Sequence, residues 1–217
     1  MADSDLTLAA TAAEALGVSP SDAKLPRIIG AASEAIASYI GRRLHYAAAN
    51  VERLAGYVNQ VRLYLGVTPV LSVAQVVLPD GSVLTEAGDD FALEDAATLY
   101  RAAGWPFTGL VRAGLLYDMP AVGTEKRGIV ATYAGGWVTP AQAASGGWAG
   151  PVRSLPFELE EACLQTVAAL YAKQGADQTV ASESLGAYSV SYRLPSAIGS
   201  IPDVVKATLD RYRRLVP

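Results

Sequence analysis

Between Pro156 and Lys173 the sequence PFELEEACLQTVAALYAK reads as a helix with both ends marked. Leu159, Cys163, Val167 and Leu170 recur at the i, i+4, i+8, i+11 spacing that lays one apolar stripe along a helix. Pro156 suits the first turn, where a missing N–H costs nothing, and Glu158, Glu160 and Glu161 sit at the positive end of the helix dipole. Lys173 falls in the last turn, and Gly175 is expected just beyond it as a left-handed stop. This is the expected central packing helix, with a similar one before a β-rich middle and another near the C-terminus.

Upstream, Leu8, Ala12 and Leu16 mark a short helix over Thr7–Leu16 that ends at Gly17. After the turn chemistry of SPSD, Leu25, Ile29, Ala32, Ile36 and Ile40 predict a longer helix stopping at Gly41. Arg42 and Arg43 then complement the negative helix end or meet a partner. From Asn50 to Trp137 the period shortens toward two, and Gly, Pro and Asp bound the runs. Strands are expected at 61–65, 70–78, 83–84, 91–94, 98–101 and 129–133, with Pro79-Asp80-Gly81 closing a hairpin. Segment 103–127 fits neither period and reads as an extended excursion. Gly135-Gly136 and the run 141–150 are expected to be flexible connections, with Trp148 docking on its own domain or on a neighbouring chain.

Residues 174–182 are expected to form a mobile loop, and Leu185, Tyr188, Val190 and Tyr192 alternate as strand residues around Gly186. Pro202 opens a terminal helix with Val205, Leu209 and Tyr212 on one face, and Lys206, Arg211, Arg213 and Arg214 make this end basic. Dipole complementarity accounts for part of that charge, and an acidic partner surface is the other reading. The expected fold is therefore α+β: a small bundle of three or four helices with a β-rich insertion, a small sheet or sandwich, between the second and the central helix. The expected division is 1–46 for the first helices, 47–150 for the insertion and 151–217 for the rest of the helical body.

The formal net charge of −4 and the pI near 5.0 argue against a protein built mainly to grip nucleic acid. A single cysteine, Cys163, rules out a disulfide within the chain, and its place on the apolar stripe makes it a core residue. The N-terminal residues carry two acids ahead of any apolar run and no basic segment, so no signal peptide is expected. No apolar run is long enough to span a bilayer, and a soluble chain with no membrane partner is expected.

Catalytic signatures are scarce. The only histidine, His45, follows the arginine pair, with no nucleophile motif nearby, and zinc sites need more His and Cys ligands than this chain has. Asp89-Asp90 and Glu94-Asp95 flank a short strand and could hold a divalent cation or form an acid/base pair, although solvated loops explain them more cheaply. No glycine loop of the phosphate-cradling type precedes a helix. No catalytic residue, metal ligand or cofactor is therefore assigned.

One order of elements remains. IIGAASEAIASYIGRRL (28–44), TPVLSVAQVVLPDGSVL (68–84), GIVATYAGGW (128–137), LPFELEEACLQTVAALYAK (155–173), SESLGAYSVSY (182–192) and a proline-opened terminal helix follow one another. This order resembles the head-tail connector proteins of tailed bacteriophages, also called adaptor or head-completion proteins. The most specific parts are Ala32–Arg43 and SESLGAYSVSY. The resemblance implies a non-enzymatic virion protein, made in the host cytoplasm, that forms a ring, usually of twelve copies, beneath the portal protein. It would extend the DNA channel without sequence-specific binding and give a neck, stopper or tail protein its attachment surface. It also implies that the late loop and C-terminal segment reach the portal or adjoining subunits, through Glu183, Leu185, Tyr188, Tyr192, Lys206, Arg211, Arg213 and Arg214. Removal of 202–217 is then expected to leave a folded subunit that docks weakly. Two alternatives stay open: a neck or tail-completion protein that contacts the tail, and a small hydrolase or ligand-binding module using the 89–95 carboxylates.

Overall fold

The computed structural model describes residues 2–108, 111–112, 115–116, 128–146, 148–175, 182–185, 188–191 and 201–213. The chain divides into two compact units, Arg43–Trp137 and the pair of stretches Met1–Arg42 and Val138–Pro217.

The unit Arg43–Trp137 is built from strands β1 (Ala47–Leu54), β2 (Arg62–Tyr64), β3 (Val70–Val77), β4 (Val83–Leu84), β5 (Ala92–Leu93), β6 (Thr98–Tyr100), β7 (Val111–Arg112), β8 (Leu115–Leu116) and β9 (Ile129–Gly135). All pairings among these strands are antiparallel. One sheet has the order β1-β9-β3-β4, a second β2-β6-β5, and β7 pairs with β8. Along β9 the residues alternate between buried and half-buried, so Ile129, Ala131 and Tyr133 face inward, as period two requires. They join Val73, Val76, Leu63, Leu99, Phe91 and Trp105 in a single core shared by both sheets. The Pro79-Asp80-Gly81 turn closes the β3–β4 hairpin as expected, with Ser82 N–H and Oγ–H donating to Asp80 Oδ1.

Three features here differ from expectation. Strand β1 lies upstream of the first expected strand, in a stretch whose alanines and charged Glu52-Arg53 pair hide the period. Two of its inward positions are polar: Asn50 Nδ2 donates toward the carbonyls of Ala47, Gly135 and Tyr133, and Glu52 is engaged by the core side of the sheet. Gly135 and Gly136 are structural rather than flexible. Gly135 ends β9 in the buried layer, and Gly136, at φ +100°, donates its N–H to Pro69 O at 2.9 Å. A Cβ on Gly136 would lie 2.5 Å from His45 O, so only glycine fits the closure where Tyr46 N–H donates to Trp137 O. Finally, the start of segment 103–127 packs on the core: Trp105 is buried, its Nε1–H donates to Val61 O, and its ring tilts against Phe91. Residues 109–110, 113–114 and 117–127 lie outside the described residues.

The other unit carries α1 (Ala9–Leu16), α2 (Leu25–Ile40), α3 (Pro140–Ala143), α4 (Phe157–Gly175), the hairpin strands β10 (Ser182–Leu185) and β11 (Tyr188–Ser191), and α5 (Asp203–Leu209) with a 3-10 turn over Asp210–Tyr212. Helices α1 and α2 end at Gly17 and Gly41 as the sequence predicts. Helix α2 packs on α4, and α4 on α5. The stripe on α4 is buried at Leu159, Cys163 and Val167, and Leu170 is half-buried. Burying these apolar side chains provides the main drive for the packing, about 25 cal/mol for each Å² withdrawn from water. Pro156 stands just ahead of α4 and its carbonyl accepts from Leu159 and Glu160 N–H, while the helix runs through Gly175 instead of stopping before it.

The run 141–150 is only partly the connection expected. Thr139 and Gln142 form a capping box around α3, with Thr139 Oγ accepting from Gln142 N–H and Gln142 Oε1 from Thr139 N–H. Ala141 and Gln142 are buried. Trp148 docks on its own unit, donating from Nε1 to Pro151 O at 2.9 Å and covering Gly150. Helix α1 begins at Ala9, later than expected, because residues 2–7 form a strap. Leu6 N–H donates to Ser33 Oγ, Thr139 Oγ–H donates to Asp3 O, and Asp5, Leu6 and Thr7 are buried. The terminal helix is not separable as expected: Val205 and Leu209 are buried, so deleting 202–217 would strip apolar cover from α4. Among the described residues no helix is long and apolar enough to cross a membrane. The fold is α+β, as read from the sequence.

Candidate functional surfaces

The 89–95 carboxylates do not converge on a common point. Asp89 adopts φ 56° as it closes a short 3-10 turn, and Asp90 Oδ2 accepts from Thr85 N–H at 3.0 Å. Asp95 accepts from Ala97 N–H and Thr98 Oγ–H. Glu94 forms a two-pronged pair with Arg62, both contacts at 2.6 Å, and the Arg62 hydrogen bonds hold its carboxyl below the usual range. Each acid thus serves a turn or an ion pair. Among the described residues no three His, Cys, Asp or Glu side chains are placed to hold a metal.

The two residues most often recruited for nucleophilic chemistry have other uses. His45 sits in the backbone bridge to Trp137. Cys163 lies in the core of the helical unit, 3.7 Å from Ser33 Oγ, and burial pushes its thiol up to about 12. That is the opposite of the activation a nucleophilic cysteine needs.

At the C-terminal end, each described cation stands beside a carboxylate of its own unit. Lys206 Nζ lies 2.6 Å from Asp203 Oδ1, Arg211 lies 3.7 Å from Glu158, and Arg213 lies 3.6 Å from Asp210 and over the Tyr39 ring. Tyr39 donates to Asp210 and Tyr212 to Glu158, tying α5 back to α2 and α4. Between α4 and α5 runs a groove of about 210 Å³, floored by Ala162 and Val205 and flanked by Glu158, Glu161 and Arg211. In the hairpin, Glu183 pairs with Val190 and Leu185 with Tyr188 across the strands. Tyr192 and Arg214 lie outside the described residues. The structure thus brings Leu185 and Tyr188 into register, and sets Lys206, Arg211 and Arg213 on the α5 segment.

Two exposed clusters escaped the sequence reading. Arg62 lies over the Tyr100 ring at 5.7 Å while paired with Glu94, and Tyr64 stands exposed two residues further along β2. Arg153 lies over the Phe157 ring at 4.2 Å while paired with Glu160. One signal was available for the second cluster: Phe157 falls off the Leu159-Cys163-Val167 stripe, which places it on the outward side of α4.

No protein-family model and no curated protein matches the chain. Solved structures do match over its whole length. A chain of the neck of an empty gene transfer agent particle, computed with C6 symmetry, is 16 % identical with a TM-score of 0.54, covering 100 % of this chain and 94 % of that one. Chains from the virion of a native gene transfer agent particle and from a native neck computed with C12 symmetry are each 17 % identical with a TM-score of 0.53, at the same coverage. At these identities the likeness is one of fold.

Proposed function

We propose that this chain is a structural, non-catalytic subunit of the neck of a phage-like particle, a head-tail connector that assembles with its own copies into a ring beneath the portal. The observation that carries this reading is the likeness of fold, end to end, to chains of particle necks. The likeness takes in 100 % of this chain and 94 % of those chains. The engagement of the 89–95 carboxylates in turns and an ion pair argues against the hydrolase reading, since a reactive pair must face a common substrate.

On this reading the acidic balance of the chain suits a channel through which DNA slides, because a basic lining would hold the phosphates through counterion release. Glu183, Leu185 and Tyr188 of the hairpin, and Tyr192 beyond it in the sequence, with Lys206, Arg211, Arg213 and Arg214, form the docking segment toward the portal or an adjoining subunit. A neck or tail-completion role differs only in the partner contacted.

Electron microscopy and native mass measurement of the purified chain, alone and with the portal protein of its own particle, test the proposal. Closed rings that co-sediment with portal are expected. A chain that stays monomeric and never associates with portal or particles would exclude it, and rings that bind only tail components would select the tail-completion role.

A further inference from the structure

The strap of residues 2–7 is tied to three helices of its unit. Leu6 N–H donates to Ser33 Oγ on α2 at 3.0 Å, Thr139 Oγ–H at the start of α3 donates to Asp3 O at 3.0 Å, and Thr7 Oγ–H donates to Glu160 Oε1 on α4 at 3.3 Å. Of the strap's two carboxylates, Asp3 is exposed and Asp5 is buried with Leu6 and Thr7 beside it.

Asp5 uses its hydrogen bonds to shape the strap. Its Oδ2 accepts from Ala2 N–H at 2.8 Å while its own N–H donates to Ala2 O at 3.0 Å, which closes a small turn. The helices beneath give the carboxylate little in return. On α2 it meets the unlike surface of Gly30 and the like charge of Glu34, and on α4 the Cys163 thiol and Glu160, the latter paired with Arg153. The chain's amino group attracts it, and among the described residues no lysine or arginine pairs with it.

Two demands on one carboxylate therefore conflict. The Ala2 amide and the amino group favour the charged form, whereas burial, the largest influence, and Glu34 favour the neutral one. A strap lifted into water keeps its Ala2–Asp5 turn and escapes the burial, so charge on Asp5 opposes docking and leaves the strap's own shape intact.

We infer that residues 2–7 form a latch on the helical unit, closed while Asp5 is neutral and opening ahead of the helices beneath it as Asp5 loses its proton. Opening frees Ser33 Oγ and bares the place that Leu6 fills, with α2 still packed on α4. Because the neutral form favours closure, closure is strongest below the value the carboxyl has in a free strap. It weakens as pH rises through the higher value of the closed state.

Amide hydrogen exchange of the full chain, followed residue by residue by NMR from pH 4 to pH 8, tests the latch. With intrinsic rates divided out, the Leu6 amide is expected to be less protected than those of Cys163 and Val167 in α4 at every pH, as a local opening requires. Its protection is expected to fall as pH rises. Asp5→Asn keeps an acceptor for Ala2 but cannot ionise, and is expected to abolish that fall; Glu34→Gln, at an exposed position, is expected to reduce it. Leu6 exchanging no faster than the α4 amides would mean that the strap opens only with the whole unit. A fall that persists undiminished in Asp5→Asn, or in Glu34→Gln where Asp5→Asn does not fold, would mean that another group drives it. Either result overturns the latch and leaves the neck reading, on which it does not rest, untouched.

Discussion

The Tyr133 hydroxyl donates to Glu52 Oε2 at 2.8 Å, linking the inner faces of β9 and β1. The same oxygen of Glu52 accepts from Gly66 N–H at 2.7 Å, and the Tyr133 oxygen accepts from Val67 N–H at 3.0 Å. Two side chains thereby satisfy the backbone of the segment that leads into β3. A polar pair stands here because the loop it serves turns inward and leaves amide groups without strand partners.

Replacing Tyr133 by Phe keeps the ring but strands Val67 N–H and removes one donor from Glu52. The expected cost is about 1–3 kcal/mol, the range for a partly buried polar group left unpaired. Urea unfolding of the two proteins, compared at equal slope, measures it, and an unchanged midpoint would show that water replaces the hydroxyl.

Asp5 is 2 % exposed, and burial raises its carboxyl above the ordinary value, more than the hydrogen bond from Ala2 N–H lowers it. A carboxyl whose folded value is raised contributes stability that is full below its unfolded value and lost as pH rises through the folded one. Asp5→Asn is therefore expected to stabilise the fold at pH 7 and to leave it nearly unchanged at pH 3. The difference in unfolding midpoint between the two chains across that window is the measurement. Taking the difference removes Asp22, Asp80 and Glu94, whose lowered values act in the opposite direction.

Neighbouring positions on α4 should behave oppositely. Leu159, fully buried, is expected to cost about 2–5 kcal/mol on truncation to Ala. Phe157→Ala, at an exposed position two residues away, should stay within about 0.5 kcal/mol, since its ring meets solvent and one arginine. Thermal melts of both variants check the pair.

Gly136→Ala forces a side chain into φ +100° and against His45 O. A loss of more than about 1 kcal/mol is expected, with faster amide exchange at Tyr46, whose N–H donates to Trp137 O across the closure. Hydrogen exchange at that amide reads the effect directly.

The Cys163 thiol, held near 12 by burial, should ignore an aromatic disulfide reagent in the folded chain at pH 8 and react at once in denaturant. A stoichiometric reaction under native conditions would contradict its place in the core.

Much of the helical unit was legible because periodicity reports burial directly where one helix face meets one partner: Ile29, Ala32, Ile36 and Ile40 on α2 and Leu159, Cys163 and Val167 on α4 are all buried. The same holds for Ile129 to Tyr133 on β9 and for the Pro79-Asp80-Gly81 turn. Strand β1 was not legible, because Asn50 and Glu52 turn inward only where Tyr133, Gly135 and Gly66, well separated from them in the chain, supply partners. The aromatic clusters were half legible at best. Phe157 could be placed outward from its spacing, but Arg62 meets Glu94 only once β2, β5 and β6 are aligned.

The sequence by itself determined most of the helices and strands, with β1 and α3 as exceptions, because hydrophobic spacing, proline and turn chemistry act over a few residues. Only the tertiary structure decided which polar groups are buried, which carboxylates are committed to turns, and which aromatic rings are left facing water. Those outcomes depend on side chains far apart in the chain finding or missing a partner, and no local pattern encodes such a meeting.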